Sequence, residues 1–193
     1  MEFAMLADAE TSVRNRVASA TKAAHQRLHR HPVLRLLAEP RLSADVYEHI
    51  IRRYAELFAA IEARRAALGV LPRLKLTRQV AALFEDAGDD AATSPDVQRR
   101  VDDIIQCPSS CLGGLYVLHG SAFGNNTMLS SVRRALPSRP TVFLALGSEP
   151  TVWRALLAEL ETRGRAEAEE QRITDAAEAT FGLFYDHTMR AAA

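Results

Sequence analysis

From Ala44 to Leu68 the apolar residues Val46, Ile50, Tyr54, Leu57, Phe58 and Ile61 recur at intervals of three and four. That spacing lines one face of an α-helix. Ser43 is placed to cap its start and Gly69 to stop it. The same periodicity predicts a first helix from Thr11 to His29, halted ahead of Pro32 because proline disfavours helical geometry in the residue before it. A helix over Leu74 to Ala87 is followed by an acidic loop, Gly88 to Thr93. Ser94 and Pro95 open a helix over Asp96 to Ile105. Pro108 separates it from Leu112 to Leu136, an apolar segment with Gly113, Gly114, Gly120 and Gly124 inside it. Ser148 and Pro150 open a helix over Thr151 to Thr162, and a last one fills Ala166 to Ala192. Alternating β-branched runs are nearly absent, and only Thr141 to Leu146 reads as extended. The expected fold is all-α, seven or eight helices in one domain over residues 1–193, with 1–10 and 190–193 as fraying ends.

Composition narrows the function classes. With 48% hydrophobic residues in 193, the chain can bury a sizeable core. Lys+Arg and Asp+Glu both number 24, so no net positive field favours nucleic acid or an anionic membrane. No apolar run approaches the roughly 20 residues that cross a bilayer, and the N-terminal stretch turns acidic early, so a cytoplasmic protein is expected. Cys107 and Cys111 are too few for a disulfide scaffold and are expected as reduced thiols.

Two features ask for a chemical explanation. A glycine inside a helix costs about 0.5 to 1 kcal/mol relative to alanine, so Gly120 and Gly124 need a compensating reason. They share one face beside Ser121, Asn125, Asn126 and Thr127. Either two helices cross closely there, or something flat lies against bare backbone. His25, among Ala23, Ala24 and Leu28, is a surface histidine, or an iron ligand with small neighbours leaving room for a planar group, or half of a metal chelate with His29. The Glu-x-x-His partner of a di-iron bundle is not found. His31, His49 and His187 read as surface residues.

The run Ala20-Thr21-Lys22-Ala23-Ala24-His25, followed by Gly114-Leu115-Tyr116-Val117-Leu118-His119-Gly120-Ser121-Ala122-Phe123-Gly124, resembles the heme oxygenase family. The likeness is greatest to the bacterial branch that supplies biliverdin to phytochromes, and it covers nearly the whole chain in helix order. The resemblance implies heme b held between a proximal helix carrying the ligand His25 and a distal helix bent at Gly120 and Gly124. Heme would be both substrate and oxygen activator, its ring opened to biliverdin with release of carbon monoxide and iron. An external donor, a reductase or ferredoxin, would supply electrons, and a bacterial phytochrome would be an acceptor. Lys22, Tyr116, Arg154 and Phe181 fall on further heme-binding positions, and Ser121 and Asn125 join the glycines on the catalytic side. Phe184, like Phe181 near the start of the last helix, packs on the ring edge or is a core aromatic, and the spacing of Tyr54 and Phe58 turns them inward, to the distal side or into the core.

Some positions depart from that pattern. Asn125 stands where the family usually has a second glycine, so it either caps the bend or turns its amide toward the ligand. His119 stands where the bacterial branch commonly has Glu; it faces away from the heme, or it occupies the iron and blocks oxygen. Ala158 replaces a basic residue one turn beyond Arg154. Cys107-Pro108 resembles the dipeptide of heme-responsive regulatory segments. A heme-binding or sensing protein without ring cleavage is therefore the alternative, and a thiamine-related hydrolase, needing a catalytic Cys, is a third reading.

Overall fold

The computed structural model describes residues 12–88 and 94–189. Among these are nine α-helices and no strand: α1 (Val13–Ala20), α2 (Lys22–His29), α3 (Ala44–Ala67), α4 (Thr77–Ala87), α5 (Pro95–Ile104), α6 (Pro108–Ala135), α7 (Val142–Leu146), α8 (Pro150–Arg163) and α9 (Glu167–Met189). Short 3-10 turns at Leu34–Ala38 and Pro72–Leu74 link them. The all-α architecture agrees with the sequence reading. The expected fraying ends, and the acidic loop beyond Gly88, lie outside the described residues.

Several boundaries differ from expectation: the helix expected from Leu74 begins at Thr77, after the Pro72–Leu74 turn, and three further differences have a clear cause. The first helix is broken at Thr21, whose Oγ1 donates to the Val17 carbonyl at 2.8 Å, a back-bond that bends helices. The glycine-rich helix starts at Pro108 rather than after it, because proline is preorganised for a first helical position and Cys107 serves as N-cap. Residues 142–146 form a helix rather than an extended run. The buried Asp86 carboxylate accepts hydrogen bonds from the backbone N–H groups of Val142 at 2.8 Å and Phe143 at 2.9 Å. Those are donors that a first turn leaves unpaired, so a tertiary cap overrides the β-branched local preference.

The core is built on α3, where Tyr47, Ile50, Ile51, Tyr54, Leu57, Phe58 and Ile61 are all buried. Tyr54 and Phe58 meet Phe143 and Phe184 edge-on at 5.3 to 6.1 Å, so Phe184 is a core aromatic. Helices α6 and α9 form the most extensive packed pair. Gly113 makes their closeness possible: a Cβ there would stand 2.3 Å from the Ile173 carbonyl oxygen and 2.9 Å from the Ala177 nitrogen. Gly114 is confined likewise, 2.9 Å from Ile105 Cδ1.

His31 and His187 are buried, not surface residues. Nδ1 of His31 accepts the N–H groups of Val33 and Leu34, each at 3.1 Å, and Nε2 donates to the Tyr185 carbonyl at 3.1 Å. His187 Nε2 lies 2.6 Å from Glu56 Oε2. His49, half-buried, donates to the Thr188 carbonyl at 3.0 Å. These polar contacts tie α3 and the turn after α2 to the end of α9, while Nδ1 of the buried His187 is left without a hydrogen-bond partner.

Candidate functional site

Helix α2 presents His25 and His29 on its exposed side, with Nε2 atoms 3.2 Å apart. Phe181 of α9, 8% exposed, stands edge-on to the His25 ring at 5.7 Å. Phe181 and Phe184 lie in the second half of α9. Partial burial, and secondarily the neighbouring His29, hold the His25 pKa below the ordinary value. The imidazole is therefore neutral at pH 7, with a lone pair available to a metal.

The four glycines of α6 divide into two pairs. Gly113 and Gly114 are locked into helix crossings, as described above. Around a Cβ at Gly120 the nearest atom is Trp153 Cη2 at 3.9 Å, and at Gly124 only Met128 Cε at 3.8 Å. Both are ordinary contacts, so no helix crossing requires glycine at either position. Gly124 is exposed and Gly120 half-exposed. Neither a close helix crossing nor a positive φ accounts for glycine at these two positions.

Tyr116 stacks on Trp153 at 5.8 Å, and Phe123, 53% exposed, meets the same indole edge-on at 5.1 Å. Trp153, the single tryptophan of the chain, escaped the sequence reading because nothing in its spacing tied it to α6. Its neighbour Arg154 is exposed on α8, and Lys22 is exposed on the first turn of α2. Ser121 donates its hydroxyl to the Leu118 carbonyl at 2.8 Å.

The departures His119 and Asn125 are engaged within the chain. His119 is 6% exposed, and its Nε2 donates to the Leu74 carbonyl at 3.0 Å. Asn125 is 2% exposed and donates through Nδ2 to the Phe143 carbonyl at 3.3 Å, securing α7. Burial lowers the pKa of both His119 and His31, and for His119 the Leu74 carbonyl and the carboxylates Glu149 and Glu62 offset this only in part. Below the unfolded value of about 6.5 the unfolded chain takes up protons that the folded one refuses, so this stability is complete above about pH 6.5 and lost as pH falls toward the folded values. The thermal midpoint of heme-free protein should therefore drop between about pH 7.5 and about pH 5.5. His119→Gln, which keeps a donor for Leu74 without titrating, should flatten the drop; a slope unchanged by that variant would remove His119 from the account.

Cys107 borders an open hollow lined by Asp103, Glu169 and Asp175 together with Arg163 and Arg172, whereas Cys111 is buried. Burial pushes the Cys111 pKa up to about 12. Burial alone would also raise Cys107, but hydrogen bonds from the Ser110 hydroxyl and the Ser110 and Ser109 backbone outweigh it and hold the thiol below its ordinary value. That thiol belongs to the capping box of α6, which accounts for Cys107-Pro108 structurally.

No family model matches the chain. A protein named heme oxygenase from Xanthomonas campestris is 26% identical over 166 residues, spanning 83% of this chain and 98% of the relative. The structure of heme oxygenase from Leptospira interrogans superposes with a TM-score of 0.74 at 16% identity, covering 92% of this chain and 98% of that one. Heme oxygenase-1 from the cyanobacterium Synechocystis, solved in complex with heme, gives 0.73 at 13% identity, covering 92% and 91%. Among the described residues no helix is long and apolar enough to cross a membrane. Fold, helix order and near-complete coverage of the sequence relative together make this chain similar to heme oxygenases, with the heme oxygenase fold.

Proposed function

We propose that this protein is a heme oxygenase that binds heme b between α2 and α6 and opens the ring with oxygen and reductant, giving biliverdin, carbon monoxide and iron. The observation that carries this reading is the division of the α6 glycines: two are required by packing, while Gly120 and Gly124 have no neighbour in the protein that excludes a side chain. Bare backbone is retained where a flat ligand can press on it. The neutral, accessible imidazole of His25 suits iron, so the residues present fit the group.

Bound heme supplies the oxygen-activating iron and the carbon that is oxidised. The chain's own part is positional. His25 Nε2 would hold the iron of the bound heme, and Phe181, edge-on at 5.7 Å, would limit the swing of the imidazole. Gly120 and Gly124 let α6 approach the ring face, and the stacked Tyr116 and Trp153 wall one edge. Lys22 and Arg154 are the cations for the propionates. With its proton given to Leu118, the Ser121 oxygen is left as an acceptor and would suit a water-borne proton relay. Asn125 acts as a positioning residue through α7 rather than at the ligand. A reductase or ferredoxin is the electron donor, in the cytoplasm, and a bacterial phytochrome is the kind of acceptor that the resemblance suggests.

Heme binding without cleavage drew its support from His119 and Asn125; their engagement with the Leu74 and Phe143 carbonyls supports the cleavage reading instead. The test is hemin titration followed by ascorbate and oxygen. The Soret band should decay while a biliverdin band grows, and a Soret band that persists would leave only binding. Gly124→Leu should weaken hemin binding by about tenfold or more while the heme-free melting point stays the same or rises, since leucine outranks glycine in helices. Equal destabilisation with and without heme would assign the glycine to packing.

A further inference from the structure

We propose that His25 and His29 form a binding site for a late first-row divalent cation, of the class of Zn2+, Cu2+ and Ni2+, in the heme-free protein, and that the ion and heme exclude one another. The geometry is that of a chelate. Imidazole–zinc bonds of about 2.0–2.1 Å set two nitrogens about 3.3–3.4 Å apart at a tetrahedral angle and about 2.9 Å apart at a right angle. The two Nε2 atoms stand 3.2 Å apart, inside that span. Residues four apart are neighbours on a helix surface, so α2 preorganises the pair. Both side chains are exposed, leaving the approach open. Arg27, which lies between the two histidines in sequence, is drawn off: its guanidinium lies 4.1 Å from the centre of the Tyr185 ring. Imidazole nitrogen is the ligand type these metals favour.

In the metal-free chain one Nε2–H donates to the other Nε2. On binding, both Nε2 lone pairs turn to the ion and the bridging proton moves to Nδ1 of its own ring; no electron is transferred. No group of three or more His, Cys, Asp or Glu that could hold a metal occurs among the described residues, so water completes the coordination and the ion exchanges readily. His29 thereby lets metal supply govern access to His25. The exclusion rests on the heme reading above; the metal site does not.

The experiment titrates the full-length heme-free protein with zinc chloride by calorimetry, and then with hemin at fixed zinc. Wild type should bind one Zn2+, and His25→Ala and His29→Ala should each weaken it by about tenfold or more. Zinc at about ten times its Kd should raise the apparent hemin Kd of wild type about tenfold. His29→Ala should bind hemin within about threefold of wild type and ignore zinc. Circular dichroism checks that both exposed-site variants fold. A zinc isotherm unchanged in His29→Ala overturns the site, and a wild-type hemin Kd insensitive to bound zinc overturns the exclusion. If zinc binding needs both histidines but hemin never binds wild type, the metal site stands and the heme reading falls.

Discussion

Replacing His25 with alanine should abolish the histidine-ligated spectrum of bound hemin and weaken hemin affinity by about 10- to 100-fold. Ring cleavage with ascorbate should fall to background in the same variant. His25 is exposed and contributes no buried contact that folding depends on, so the melting point of heme-free His25→Ala should stay close to wild type. Free imidazole added to the variant should restore part of the spectrum, which a purely structural role would not allow. Hemin bound to His25→Ala with an unaltered spectrum would remove this residue as the iron ligand. Phe181→Ala would not mimic the loss, because that side chain only flanks the ring at 5.7 Å.

Gly113→Ala should be among the most damaging single substitutions in the chain although it adds one methyl group. Its Cβ would stand 2.3 Å from the Ile173 carbonyl oxygen and 2.9 Å from the Ala177 nitrogen, both backbone atoms that no rotamer change can move. The two longest-packed helices would have to separate, at about 3 kcal/mol or more. In a domain of this size that lowers the melting point by about 6 to 12 °C. Gly124→Ala, with only Met128 Cε at 3.8 Å, should instead raise heme-free stability by up to about 1 kcal/mol through helix propensity. Similar melting points for the two variants would contradict the division of the glycines on which the proposed ligand face rests.

The sequence by itself determined the helices whose faces and caps are local. The three-and-four spacing from Val46 to Ile61, with Ser43 ahead and Gly69 behind, places α3 to within a residue, because side-chain period and capping are properties of neighbouring residues. The motif around His25 and the run from Gly114 to Gly124 likewise marked α2 and α6. Tertiary structure alone decided the rest. Spacing could not separate glycines that admit a neighbouring helix from glycines with room for a side chain, since the difference lies in Ile173 and Ile105 pressing on one pair and only ordinary contacts with Trp153 and Met128 at the other. It could not see that His31 would be enclosed by Tyr185 and Thr188, about 150 positions away, or that His119 would reach Leu74. Nor could it see that Asp86 would cap α7 from another helix. A hydrogen bond between distant residues leaves no periodic trace in the chain, because only the fold fixes which donors and acceptors are buried together, and burial is what obliges them to pair.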